Sequence, residues 1–240
     1  MDVAVLRQVL SAFAIAVKAT TTRAISQGLL AAYLGNDPAC RVFAGTVRRG
    51  EVQSLEAVIF FADLQGFTAL ADTMPGKELI ALLDDYFGCM VEPVVRREGE
   101  VLKFMGDGML AAFAVILGEH AEVCAAALDA AEDVLALVDT LNAERRQAGK
   151  PAAGLDISLH IGRVLYGNVG SDRRLDFTAI GPAVNEASRI EALCQPLGRQ
   201  LLMSQAFAEA ATSCRSCLVS LGRHRLRGVR EDTELFTLKG

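Results

Sequence analysis

Two aspartates set the chemistry to look for. Asp63 closes the apolar run Val58, Ile59, Phe60, Phe61, Ala62, and Asp107 lies between two glycines in KFMGDG. A carboxylate at a strand tip can hold a hard cation. Two that converge make a site for one or two Mg²⁺ ions; in two-metal sites the ions lie about 3.5–4 Å apart, one activating an attacking oxygen and one clamping phosphates. Without a cation, burying the two side by side would oppose like charges. Gly66, Phe67 and Thr68 follow Asp63 and open a helical pattern, whose first backbone N–H groups can hold phosphates. Asn185 and Arg189 stand four apart in PAVNEASR, one turn apart on one helix face. A guanidinium beside an amide can stabilise a phosphate whose charge grows in the transition state. Each feature also has a plainer reading. Asp63 could cap a helix or turn, Asp107 could fill a type I′ D-G turn, and Asn185 with Arg189 could be a solvated face.

The elements that must position these residues follow from pattern. Val58–Phe61 reads as a buried strand. Leu79, Leu82, Leu83, Tyr86, Phe87 and Met90 mark a helix within Pro75–Arg97. Glu100–Phe104 and Met109–Phe113 read as a hairpin about GDG, Ala121–Arg146 as an alanine-rich helix, and Leu155–Ile161 as a strand, followed by a glycine-rich stretch to Gly170. This is an α+β chain with a ferredoxin-like β-α-β-β-α-β core. In it the first strand is expected to be central, beside the strand that follows the helix, so that Asp63 and the hairpin turn share one sheet edge. A strand at Leu175–Ile180, a helix at Val184–Leu193 and a strand pair at Leu218–His224 and Leu235–Leu238 extend the core; His160 and His224 fall in strands and read as structural.

Ahead of the core, residues 1–45 read as a helical dimerisation or regulatory segment and linker, with 46–240 as the second domain. Leu6, Leu10, Phe13 and Val17 share one helix face, Thr20–Thr22 suggest a break before a second helix at Ala24–Tyr33, and Asn36–Glu51, with Pro38, Gly45, Gly50 and three Arg, reads as linker with one short strand.

Composition narrows the partners. The chain has 240 residues, 52% hydrophobic and 22% charged, which suits a well-buried core rather than disorder. A net charge of −5 without a Lys/Arg-rich block argues against nucleic acid. Of the six Cys only Cys214 and Cys217 have C-x-x-C spacing, and no His or second pair completes a zinc site, so they read as free thiols of a reducing cytoplasm. The apolar run Val9–Val17 is far short of the roughly 20 residues of a membrane span, so no transmembrane segment is expected.

FADLQGFT, KFMGDG and DFTAIGPAVNEASR, in this order, resemble the three signature blocks of the class III nucleotidyl cyclases. The resemblance runs from about Val58 to Leu238 and includes GRVLYGNVG and HRLRGV. It implies that Asp63 and Asp107 bind two divalent cations (Mg²⁺ or Mn²⁺), with the Leu64 carbonyl completing the site. It implies that Lys103 reads the purine, with Thr178 at a position that holds Asp or Thr in adenylyl cyclases. Guanylyl cyclases usually place Glu and Cys at these positions. Lys103 can only donate, which suits adenine N1, and the Thr178 hydroxyl can accept from the amino group. Asn185 and Arg189 match the transition-state pair, and Arg227 stands where the family more often has Lys, as a triphosphate contact. The implied reaction is adenylyl cyclase: the ATP ribose 3′-OH attacks the α-phosphorus, releasing pyrophosphate and 3′,5′-cyclic AMP. The implied assembly is a homodimer, with metal aspartates from one subunit and Lys103, Thr178, Asn185 and Arg189 from the other. Rival readings are a guanylyl cyclase and a catalytically silent, nucleotide-sensing pseudocyclase. A phospho-acceptor receiver domain would need alternating βα units and an acidic pair ahead of Asp63, and the sequence has neither.

Overall fold

The apolar run ahead of Asp63 is the middle of a longer strand, β1 (Val52–Gln65). The computed structural model describes residues 3–45, 48, 50–116, 118–228 and 232–239, with only the backbone described for 3–8. Along β1, Val58, Phe60 and Ala62 face one core, Ala57 and Ile59 the other, and all are fully buried. A strand covered on both faces reads in sequence as an unbroken apolar block. Before it lie α1 (Val3–Leu34) and α2 (Asn36–Phe43). After it come α3 (Phe67–Thr73), α4 (Gly76–Arg96), β2 (Glu100–Met105), β3 (Gly108–Ala114), α5 (His120–Gln147), β4 (Gly154–Ser171), β5 (Arg174–Ile180) and α6 (Pro182–Glu191). The chain ends with α7 (Cys194–Leu197), β6 (Leu201–Ser204), α8 (Gln205–Ala210), β7 (Leu218–His224) and β8 (Thr233–Leu238).

The strands form one sheet in the order β2-β3-β1-β4-β6-β8-β7, with β5 pairing the distal half of β4. The first four are the ferredoxin-like core. One expectation is corrected: β1 lies beside β3 and β4, not beside β2, the strand that follows the helix. The reason is burial. β3 is apolar along almost its whole length and takes a neighbour on each side, whereas β2 exposes Lys103, Phe104 and Met105 and suits the edge. Asp63 and the hairpin turn still meet, because β3 starts at that turn and pairs antiparallel with β1 as far as Ala62 opposite Met109.

The strand expected at Leu155–Ile161 runs on through the glycine-rich stretch, so that β4 is one 18-residue strand. A Cβ at Gly167 would lie 2.2 Å from the Glu51 carbonyl oxygen, so this glycine permits close backbone approach rather than a turn. Strand β6, of four residues, and α8 have no counterpart among the elements expected from pattern.

The N-terminal segment also departs from expectation. Thr20–Thr22 do not break α1, which is continuous; the Thr20 hydroxyl donates to the Ala16 carbonyl inside the helix. The expected linker begins with a helix, α2, with Pro38 in its first turn, where no amide donor is needed. Its Asp37 amide donates to the Glu100 carboxylate on β2 at 3.3 Å. Arg41 pairs with Asp37 at 2.7 Å and lies over the rings of Tyr166 on β4 (5.3 Å) and Phe177 on β5 (6.0 Å). The boundary expected at residue 46 lies outside the described residues. On α1, Phe13 and Ile15 are about two-thirds exposed (66% and 70%), so that helix leaves apolar surface uncovered.

Helices α4 and α5 cover one sheet face. Leu82, Tyr86, Met90, Val134 and Val138 pack on Val58, Phe60, Leu155 and Leu159. Within this core the Tyr86 hydroxyl donates to the Asn142 side-chain oxygen and accepts from the Ala153 amide at 2.7 Å, and the Asn142 amide donates to the Ala153 carbonyl at 2.8 Å. The other face is covered in part by α6, through Ala183 and Ala187. Among the described residues no helix is long and apolar enough to cross a membrane.

Candidate active site

The carboxylates come together through register. Gly106 takes φ 68° and opens a two-residue turn that places Asp107 beside the paired residues Met105 and Gly108. A Cβ on Gly108 would lie 2.6 Å from the Asp63 Oδ1 and 2.9 Å from the Ala62 carbonyl oxygen. The turn bearing Asp107 is thus pressed onto the Asp63 carboxylate, and only a glycine admits that approach.

Two acids that sequence reasoning misses join them. Asp156 on β4 sits opposite Asp63 in the β1–β4 register and is buried, accepting from Gln65 Nε2 at 2.6 Å. Glu191, the last residue of α6, feels the charges of Asp63, Asp156 and Asp107. Burial first, then the charges of Asp107 and Asp156, push the Asp63 carboxyl up to about 6. Burial and the same carboxylates push Glu191 up to about 7. Asp107 is raised chiefly by burial, and so is Asp156, which hydrogen bonds from Gln65 and Gln195 partly offset.

This donor set fits a hard divalent cation. A dipositive charge beside Asp63 and Asp107 would return both carboxyls to their ionised range. Among the described residues no three His, Cys, Asp or Glu side chains form a ready ligand shell. The carbonyl of buried Leu64 is next in the strand. Just beyond β1, Gly66 adopts a left-handed φ of 71°, and Phe67 and Thr68 begin α3.

Lys103 and Thr178 lie on β2 and β5. The Lys103 ammonium pairs with the Asp176 carboxylate, a residue outside the sequence-predicted site. Asp176 and Thr178 are two apart on β5 and so share one face of it, opposite Phe177. Thr178 is buried, whereas Lys103 and Asp176 are exposed by 44% and 49%. The sequence carries a signal for Asp176, an acid two residues from Thr178 on one strand, but not the approach of β2 that brings Lys103 to it.

Asn185 is exposed and Arg189 partly buried on α6. The Arg189 guanidinium reaches the turn after β7, where a Cβ on Gly228 would lie 3.6 Å from its Nη2; exposed Arg227 precedes that glycine. The fold therefore brings these two arginines to neighbouring positions from distant parts of the chain.

The chain is similar to an adenylate cyclase of Anabaena cylindrica, 34% identical over 160 residues that make up 65% of this chain and 31% of the relative. It is also similar to adenylate cyclase 1 of Rhizobium meliloti (strain 1021), 32% identical over 154 residues, 63% of this chain and 23% of the relative. It thus spans no more than about a third of the length of these relatives. A bacterial light-regulated adenylyl cyclase superposes with a TM-score of 0.76 at 27% identity, covering 92% of this chain and 62% of that one. Residues 51–240, from the start of β1 through the closing strands, match the model of the adenylate and guanylate cyclase catalytic domain, and the chain belongs to that family.

Proposed function

We propose that the chain is an adenylyl cyclase domain that converts ATP to 3′,5′-cyclic AMP and pyrophosphate. The observation that carries this reading is the convergence of Asp63 and Asp107 together with a Lys103 that Asp176 draws toward the strand bearing Thr178. Asp63, Asp107 and the Leu64 carbonyl would hold two divalent cations, Mg²⁺ or Mn²⁺. Those cations, when bound, favour the ribose 3′-oxygen as nucleophile and neutralise the triphosphate.

The remaining roles belong to the chain's own groups. Gly66, Phe67 and Thr68 offer backbone amides to the phosphates at the start of α3. Lys103 donates to adenine N1, and the Thr178 hydroxyl accepts from the 6-amino group. Asp176 holds the Lys103 ammonium on the side of Thr178. Asn185 and Arg189 stabilise the charge that grows on the α-phosphate, and Arg227 steadies the triphosphate. The attack is intramolecular, so fixing the ribose and the phosphate chain supplies much of the acceleration.

The acidic and basic sets meet across a homodimer, each chain supplying both to two equivalent sites, so a monomer is inactive. Residues 1–45 set the geometry of that dimer, since α2 rests on β2, β4 and β5. Deleting them is expected to change turnover or dimerisation. The deciding experiment compares ATP and GTP as substrates with Mg²⁺ and with Mn²⁺. Cyclic AMP from ATP supports the reading. Preference for GTP makes it a guanylyl cyclase, and nucleotide binding without turnover makes it a pseudocyclase.

A further inference from the structure

His160 lies at the centre of β4, buried to 6% exposure, with hydrogen-bonding atoms on both ring edges. Its Nδ1 lies 2.9 Å from the Ser204 hydroxyl, which caps α8 by accepting from the Phe207 amide at 3.0 Å. Its other edge faces α6. Nε2 lies 3.8 Å from a Glu186 carboxylate oxygen, within ion-pair range. A Cβ on Gly162 would lie 3.2 Å from that Nε2 and 2.9 Å from the Ala183 methyl, so α6 is seated close against this part of β4. Two strand residues earlier, the Ser158 hydroxyl donates to the Ala187 carbonyl at 2.7 Å.

Helix geometry gives these contacts their meaning. Ala183, Ala187 and Ile190 form the buried stripe of α6. At about 100° per residue, Glu186 falls on the flank of that stripe toward Arg189 and then Asn185. The Ser158 contact sits on the stripe and resists sliding. The His160–Glu186 contact sits off the axis and resists rolling. Small apolar residues such as Ala183 and Ala187 resist rolling poorly on their own, because a methyl presents nearly the same surface after a modest turn.

We infer that His160 is a positioning residue: through Glu186 it fixes the roll of α6 and hence the direction in which Asn185 and Arg189 point. The roles of Asn185 and Arg189 rest on the function proposed above; the roll restraint itself does not. Burial holds the imidazole below its usual pKa and the Glu186 charge opposes this; a carboxylate only accepts, so Nε2 carries the proton that faces Glu186 and Nδ1 accepts from the Ser204 hydroxyl.

The test uses the full chain and two readouts. One is hydrogen exchange of the peptide spanning 182–191. The other is kcat and KM for ATP with Mn²⁺. His160→Asn keeps a polar atom near Ser204 and removes the arm toward Glu186; His160→Gln keeps an atom near the Nε2 position. Glu186→Ala removes the partner and Glu186→Gln keeps its shape. His160→Asn and Glu186→Ala are expected to speed exchange in 182–191 about tenfold, with the α4 and α5 peptides unchanged. They are expected to lower kcat about tenfold with KM within about twofold, since a small misdirection of a transition-state group acts on the chemical step. The Gln variants recover part of both effects, and the double variant that combines His160→Asn with Glu186→Ala is no worse than the worse single one. Wild-type exchange in 182–191 in both impaired variants overturns the inference, as does faster exchange spread evenly over the whole chain. If the wild-type chain turns over neither ATP nor GTP, the proposed function fails and the exchange readout alone decides the roll restraint.

Discussion

Asp63 and Lys103 are both presented by strands, but by strands of opposite kinds. Asp63 ends the central strand β1, which is hydrogen bonded on both sides, and it sits partly buried among Asp107, Asp156 and Glu191. Lys103 sits on the edge strand β2, just past a register shift after Val101, exposed and held by one carboxylate. The acidic end is a rigid frame holding like charges close, ready for a cation. The basic end is a soft frame, where an exposed ion pair contributes about 0–1 kcal/mol and can be exchanged for a ligand contact. On the function proposed above, a cation must be gripped in a fixed geometry, whereas a base can be admitted by a side chain that moves.

The largest test of this contrast is Asp63→Ala. Losing a group asked to supply several kcal/mol of charge stabilisation is expected to cut cyclic nucleotide formation by about 10³-fold or more. Stability should move the other way. The Asp63 pKa is raised in the folded chain, so its contribution is favourable at low pH and is lost as pH rises through about 6. The melting temperature of metal-free wild-type protein should therefore fall between about pH 4 and pH 7. Asp63→Ala should flatten that fall, and Mg²⁺ or Mn²⁺ should reduce it in the wild type only. A pH profile unaffected by the substitution would show that the acidic end holds no such repulsion.

Gly108→Ala comes next. The added methyl meets both the Asp63 carboxylate and the Ala62 carbonyl, so the Asp107 turn must draw away from β1. Turnover is expected to drop about 100-fold, because displacement of a reacting-site group by an ångström costs on that order. A variant that retains full activity would mean that the turn and Asp63 need not be in contact.

Much of this frame is legible in the chain itself. The stripes that form α4 and α5, the hairpin about GDG and the apolar block of β1 are period patterns, which local sequence carries. Register is different: Asp156 opposite Asp63 depends on how β4 slides against β1, and one step of slip would turn it to the other face. Lys103 beside Asp176 depends on two strands that approach without pairing, and Glu191 near the aspartates on where the far end of α6 comes to rest. The segment after Gly35 reads as linker because Pro38 and the glycines outweigh a short amphipathic turn, and what makes it a helix is its contact with Glu100, Tyr166 and Phe177. Four residues of β6 carry too little pattern to be seen.

Asp176→Ala tests the soft end. Lys103 would lose its restraint but keep its charge, so the KM for ATP should rise about fivefold to tenfold with little change in kcat, and discrimination against GTP should fall by a similar factor. Melting should not change, because the pair is exposed. Unaltered discrimination would show that Asp176 takes no part in selecting the base.

The smallest effect on activity is expected at Tyr86→Phe, which probes why the acidic end stays rigid. Its hydroxyl is fully buried and is shared between Asn142 and the Ala153 amide, directly ahead of the β4 residues that lead to Asp156. Removing it leaves a buried amide and a side-chain oxygen each short of a partner. That costs about 1–3 kcal/mol, because unsatisfied buried groups forfeit their desolvation energy. The ring still fills its place in the core, so the sheet should keep its register and turnover should stay within about twofold. A lower melting temperature with near-normal kinetics would mean that the frame is stiff through many redundant contacts. A loss of turnover as large as that of Gly108→Ala would mean instead that this one buried network, on the far face of the sheet, sets the geometry of the carboxylates.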